Sequence, residues 1–523
     1  MTTPFSFRTR SFLRRRFLAS ALAPILTLAL AASQALATWS IIIVNTVTGE
    51  VAIGQATCLA NFNLEVGSAV VVVGKGAACA QSFIDTTGQN RLLIFNSFQG
   101  EVPLPTILAQ LAAQDGGHQS RQYGMVALYG GGDSLTFTGT GCGAYANGVT
   151  GQIGDIKYAI QGNVLTGAPV ISSAEQAVLT TNGDVGQKLL AAMKAAAKKG
   201  GDGRCSCSQS APTSCGSPPP TFTKSAHTGY MLIARIGDTN GVCNTSVGCA
   251  SGTYYMNLNA IGGVSSPDPV TTLNTMYNGW RAGWVGHGDH VLSTKTFNVA
   301  GLPADGASQA TLTLTLKDIN NGVIAHGGAS IVVTHDATSA GSCTIGPASS
   351  QGNGVYTVPL TAGSVKGVDV FKVVINDGKG NVTLYPNPKL PISALCNNYG
   401  AGTPGTLGII PTIACNGASV VGNANFGFSL QQAPPLASVV AFAAQNSASI
   451  PFGTTGTLLF DPLSIAWEST LLSADASGNA MISAALPNDP LLSGLHAFVQ
   501  VLVLDSGAEI GVSATAGLDV ELL

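Results

Sequence analysis

Ala35-Leu36-Ala37-Thr38-Trp39-Ser40-Ile41-Ile42-Ile43-Val44 joins two different kinds of sequence. Upstream stand Arg8, Arg10, Arg14, Arg15 and Arg16, then an apolar segment from Phe17 to Ala32, then small residues ending in Ala-x-Ala. A basic segment, an apolar core and a small-residue cleavage site are the three parts of a secretory signal peptide. Residues 1–37 are therefore expected to be removed, and Arg14-Arg15-Arg16-Phe17-Leu18 fits either a twin-arginine signal or an ordinary basic leader. Cleavage after Ala37 gives Thr38 a free α-amine beside its own hydroxyl, the minimum equipment of a self-contained nucleophile and base. On the junction alone, Thr38 reads as well as the plain first residue of an exported strand.

The chain of 523 residues is too long for one hydrophobic core, and its length suggests about three domains. Only 9% of residues are charged and 65 are glycine, which suits β-rich extracellular modules built on turns. Loss of the five leader arginines from the 23 basic residues leaves 18 against 26 acidic, net −8. No basic stripe survives to meet a nucleic acid. Beyond residue 37 no apolar run is long enough to span a bilayer, so no membrane span is expected after signal removal. The location expected is secreted, periplasmic or cell-surface.

Eleven cysteines follow the leader, and export makes disulfides their default. Cys205, Cys207 and Cys215 have no histidine or second CxxC at zinc-ligand spacing. They are expected to pair with Cys243 and Cys249, Cys58 is matched with Cys79 if their strands are neighbours, and Cys396 with Cys415 closes a loop. No metal and no cofactor is assigned.

From Thr38 the pattern runs through short strands and tight turns: Trp39 to Asn45, Val51 to Thr57, Ala69 to Val73 and Ala77 to Gln81. Helices are expected over Pro103 to Asp115 and from the Asp184 cap to Lys199. Strands at Gln122 to Leu128, Ser134 to Thr138, Tyr158 to Gln161 and Met231 to Ile236 complete an arrangement of sheets with helices packed outside. Val70-Val71-Val72-Val73-Gly74-Lys75-Gly76 has the strand and first glycines of a dinucleotide site but no third glycine, and reads as a hairpin.

Several stretches resemble the family called domain of unknown function 1028, whose fold is that of the N-terminal nucleophile (Ntn) hydrolases. They are Thr38-Trp39-Ser40-Ile41, Val66-Gly67-Ser68-Ala69-Val70, Arg121-Gln122-Tyr123-Gly124-Met125-Val126, Thr138-Gly139-Thr140-Gly141-Cys142, and Gln161-Gly162-Asn163-Val164-Leu165-Thr166-Gly167. Gly200-Gly201-Asp202-Gly203-Arg204 and Ser266-Pro267-Asp268-Pro269-Val270 continue the series in order, over about Thr38 to Trp280. The resemblance implies an α+β four-layer αββα sandwich and makes Thr38 the catalytic position for hydrolysis of an amide in a small molecule or peptide. Gln161 and Asn163 either hold a turn or contact substrate or the oxyanion. Asp202 and Arg204 form either a structural ion pair or part of a substrate site. Relatives usually carry Ala-Ser-Lys where this chain has Ala56-Thr57-Cys58, so the lysine that would tune the amine is replaced.

The remaining chain reads as two all-β sandwiches. Gly286-His287-Gly288-Asp289-His290 is read as a solvated linker within 283–290, closing a first domain of 38–282. Strand alternation over Ala310 to Leu316, Gly354 to Gly363 and Val368 to Ile375, with an Asn376-Asp377-Gly378 turn, resembles the immunoglobulin-like domains of invasin and intimin type over 291–392. Residues 393–523 resemble, more loosely, the C-terminal β-sandwich modules of secreted bacterial proteins. Two functions follow: an exported Ntn-type amide hydrolase on β-sandwich stalks, or a non-catalytic adhesin with a cell-surface or glycan partner.

Overall fold

The computed structural model describes residues 38–324 and 327–523, so the leader and its junction up to Ala37 lie outside the described residues. β1 (Thr38–Asn45) is buried along all but its last residue. Side chains alternate across a strand. Trp39, Ile41 and Ile43 therefore enter one core while Ile42 and Val44 enter another. A strand buried on both faces reads as a near-continuous apolar run, which is what Ile41 to Val44 is.

The elements that follow are β2 (Val51–Thr57), α1 (Leu64–Ser68), β3 (Ala69–Val72), β4 (Gly76–Ser82), α2 (Gln89–Gln99), α3 (Leu104–Gln114), β5 (Arg121–Ala127), β6 (Asp133–Thr138), β7 (Asn147–Ile153) and β8 (Ile156–Asn163). Next come α4 (Pro169–Thr180), α5 (Val185–Lys198), α6 (Gly203–Ser206), β9 (Thr228–Ala234), β10 (Met256–Ala260) and α7 (Pro269–Ala282). One sheet has the order β10-β9-β2-β1-β8-β7, the other β3-β4-β5-β6. Helices α4, α5 and α7 cover the outer face of the first through Leu189, Met193, Val170 and Leu273. Helices α2 and α3 cover the second through Ile94, Phe98, Ile107 and Leu111. The two sheets face each other across Ile42, Ile53, Val71, Val126 and Leu232. This is a four-layer αββα sandwich.

The capping box of Asp184 and Gln187 starts α5 as its sequence signals. Among the longer helices, α2, α4 and α7 were not expected: Gly88 and Ala168 offer α2 and α4 no capping side chain, whereas α7 does carry its signal, Asp268 before Pro269.

Two β-sandwiches follow. Strands Gln309–Thr315 and Val355–Thr361 pack on Ser330–His335, Gly367–Asn376 and Lys389–Ser393 across Leu312, Leu314, Val358, Phe371 and Val373. Ser438–Ala444 and His496–Leu504 lie in a second pair of sheets, closed on Gly427–Gln431 across Val439, Val501, Phe428 and Leu430. Among the described residues no helix is long and apolar enough to cross a membrane.

The segment read as a solvated linker is instead buried at its end, from Gly288 to His290. Asp289 and His290 are 3% and 1% exposed, because they close the seam between the αββα domain and the first sandwich. Arg235 at the end of β9 donates through Nε to Glu50 (3.2 Å) and through Nη2 to Asp289 (3.1 Å), and its guanidinium lies 3.2 Å from the Tyr255 ring centroid. Arg281 bonds Asp184 (2.6 Å) within the αββα domain and the Ile319 carbonyl (3.0 Å) across the same seam. A cavity of about 510 Å³ lies beside these groups. Burial pushes the His290 imidazole down to about 3, so it is neutral.

Candidate active site around Thr38

Alternation along β1 places Thr38 and Ser40 on the same face as Ile42 and Val44, between the two sheets. The inter-sheet layer is therefore graded. One half is apolar, with Ile42, Val44, Val51, Ile53, Ala77, Val126 and Ala159. The other half, around Thr38, carries Gln55, Cys79, Gln81, Gln122, Gln161 and Asn163, all 1% exposed or less. Thr38 itself is fully buried and pairs with Thr57 on β2 and Asn163 on β8.

Buried polar groups are costly unless hydrogen-bonded, and the amides here bond one another. Gln55 Nε2 donates to Gln81 Oε1 at 3.0 Å. Gln81 Nε2 donates to the Thr38 carbonyl at 3.1 Å and to Gln122 Oε1 at 2.8 Å. Gln122 Nε2 reaches Thr138 Oγ1, the Asn147 carbonyl and the Gly162 carbonyl at 2.9, 3.1 and 2.9 Å. Asn163 Nδ2 donates to Gln122 Oε1 at 3.2 Å. Gln161 Nε2 bonds Ser40 Oγ and, at 2.6 Å, Cys79 Sγ. Its side chain fits because position 124 is glycine: a Cβ there would sit 2.1 Å from Gln161 Nε2. Gln161 Oε1 and Asn163 Oδ1 are buried with no hydrogen-bond partner among the described residues.

Gln161 and Asn163 thus lie inside β8, not in a turn. Asn163 is directly opposite Thr38, while Gln161 is opposite Ser40, one step deeper between the sheets. Asp202 caps α6 and accepts from the Cys58 backbone N–H at 2.7 Å and from Arg204 Nη2 at 2.9 Å. Burial pushes the Asp202 carboxyl above the usual range, and Arg204 pulls against it. The two candidate pairs therefore converge on one rim, where β1 begins and β2 and β8 end.

The cysteines pair differently from the sequence expectation. Cys58 bonds Cys205, 147 residues away, because α6 lies against the end of β2. Cys79 faces the amide layer as a free thiol, its pKa pushed up to about 11 by burial. Cys207 pairs with Cys215 and Cys243 with Cys249, each closing its own short loop. Cys396–Cys415 forms as expected. Cys142 and Cys343 are free. The roles of Gln55, Gln81, Gln122 and His227 were missed, although Gln81 stands in a strand of small residues, Gly76–Ser82. His227 precedes β9 and donates its N–H to the Thr57 carbonyl at 2.8 Å, and burial lowers its imidazole pKa.

Residues 38–217 match the model of a family of unknown function, DUF1028, and residues 289–385 match the model of invasin domain 3. No curated protein matches the chain. Among solved structures, a DUF1028 protein from Silicibacter pomeroyi is 16% identical, covering 46% of this chain and 85% of its own, with a TM-score of 0.35. Invasin, described as a bacterial integrin-binding protein, is 11% identical over 92% of this chain and 72% of its own, with a TM-score of 0.18. The Escherichia coli adhesin FdeC is 11% identical over 93% and 96%, also at 0.18. Within one polypeptide a segment that matches the DUF1028 model is thus followed by one that matches the model of invasin domain 3.

Proposed function

We propose that the protein is an exported amide hydrolase of the Ntn type, carried on invasin-type β-sandwich modules, with Thr38 as nucleophile. The supporting observation is the position of Thr38: first residue of a central strand, facing the polar half of the inter-sheet layer, opposite Asn163 and Thr57, with the Asp202–Arg204 pair held on the N–H of the next residue, Cys58. Removal of residues 1–37 at Ala37–Thr38 frees the α-amine. An α-amine has an ordinary pKa of about 7.7–8.0 and serves as base near neutrality. Thr38 Oγ1 attacks the amide carbonyl carbon, the amine takes the hydroxyl proton and passes it to the leaving nitrogen, and water then hydrolyses the Thr38 ester. Asn163 and Arg204 are the donors assigned to the oxyanion and substrate. The four disulfides among the described residues suit the oxidising compartment to which the leader would deliver the chain. The test is covalent labelling of the mature protein by a β-lactone, read by mass spectrometry. One adduct on Thr38, absent from Thr38→Ala, is expected; labelling that survives this change contradicts the reading.

A second reading is a non-catalytic surface adhesin, favoured by the Cys58–Cys205 disulfide where relatives carry a lysine and by the invasin domain. Binding to cells or glycans that is unchanged by Thr38→Ala would support it.

A further inference from the structure

Cys58, Cys205 and His227 come from three separate segments: the residue after β2, the short helix α6 and the residue before β9. One potential ligand atom from each, two sulfurs and an imidazole nitrogen, lies within 4.8 Å of the other two. His227 is 9% exposed and its Nδ1 is buried with no hydrogen-bond partner among the described residues. Both ends of the cluster are anchored independently of the disulfide, by Cys58 N–H to Asp202 Oδ2 (2.7 Å) and by His227 N–H to the Thr57 carbonyl (2.8 Å).

We propose that reduction of the Cys58–Cys205 disulfide converts this cluster into a zinc site. Two thiolates and one imidazole form a donor set suited to zinc, and three protein ligands leave a fourth position for water. Tetrahedral Zn–S bonds of about 2.3 Å place the sulfurs roughly 3.8 Å apart, a separation compatible with the present cluster once the S–S bond opens. The balance is complete with a dithiol reductant. It gives two electrons and two protons to the Cys58–Cys205 bond and leaves as its own disulfide; Zn²⁺ then displaces the two thiol protons. The site borders the Thr38 rim through Thr57 but does not depend on Thr38 being a nucleophile.

The test is zinc uptake by the full mature protein, measured by competition with a chromogenic chelator before and after reduction. One equivalent is expected after reduction and none before. Cobalt(II) in its place should give thiolate-to-metal charge-transfer absorption. The Cys207→Ser/Cys215→Ser variant should retain the metal, since those thiols lie outside the cluster. His227→Ala should weaken binding by about 100-fold, at or beyond the upper end of what loss of an outer-shell partner costs. Circular dichroism of each reduced protein accompanies the measurement. Reduced protein that takes up no zinc, uptake indifferent to His227→Ala, or unfolding on reduction would each overturn the proposal.

Discussion

Between the two sheets behind Thr38 the buried polarity is carried by neutral amides, with the Asp202–Arg204 ion pair confined to the rim, whereas at the seam with the first β-sandwich it is carried by charges. Gln55, Gln81, Gln122 and Asn163 pass hydrogen bonds from sheet to sheet and still leave Asn163 Oδ1 and Gln161 Oε1 without partners among the described residues. Arg235, by contrast, is held by Glu50, Asp289 and the Tyr255 ring at once. The difference separates two tasks. A saturated charge cluster fixes one geometry, because any missing partner leaves a buried charge. An amide layer keeps its protonation state at any ordinary pH and has acceptors left for a ligand.

Arg235→Ala breaks the seam most severely. It strands Glu50 and Asp289 in the interior, and loss of one partner from a buried ion pair costs about 3–5 kcal/mol. Calorimetric unfolding should show that loss, with the αββα domain and the first sandwich separating into distinct transitions. Gln122→Ala attacks the amide layer at its most connected member. Leaving one buried neutral group unsatisfied costs about 1–3 kcal/mol, and the neighbouring amides can re-pair with one another, so denaturant unfolding should show a smaller loss than for Arg235→Ala. A loss as large would erase the contrast between the two regions.

The smallest effect is expected at Asp115, which links the end of α3 to β5. It accepts from Arg121 Nε at 2.8 Å and Asn90 Nδ2 at 2.6 Å. Its carboxyl is lowered to about 2, chiefly by the Arg121 hydrogen bond. A depressed carboxyl contributes stability that is complete above its ordinary value of 3.8 and is lost as pH falls towards 2. The unfolding midpoint should therefore fall more steeply between pH 4 and pH 2, on the order of that window, in the native chain than in Asp115→Asn. Equal slopes would remove Asp115 from the account.

Much of this architecture is legible from residues. The apolar run from Trp39 to Asn45 announces a strand, Asp184 announces α5, and the alternation from Ala310 announces the first sandwich. What is not legible depends on distance or on missing local signals. Helices α2 and α4 begin without a capping side chain. Cys58 and Cys205 meet only because the fold brings α6 to the end of β2. Thr38, Asn163, Asp202 and Arg204 could be named from motifs. Their convergence, and the amide layer behind them, required the register of β1 against β8 and the facing of the two sheets.

The decisive measurement is N-terminal peptide mass spectrometry of the mature exported protein after exposure to a β-lactone. The proposed mechanism requires a chain that begins at Thr38, with the adduct on that residue. A mature chain that begins elsewhere, or one that begins at Thr38 and stays unmodified, would contradict it.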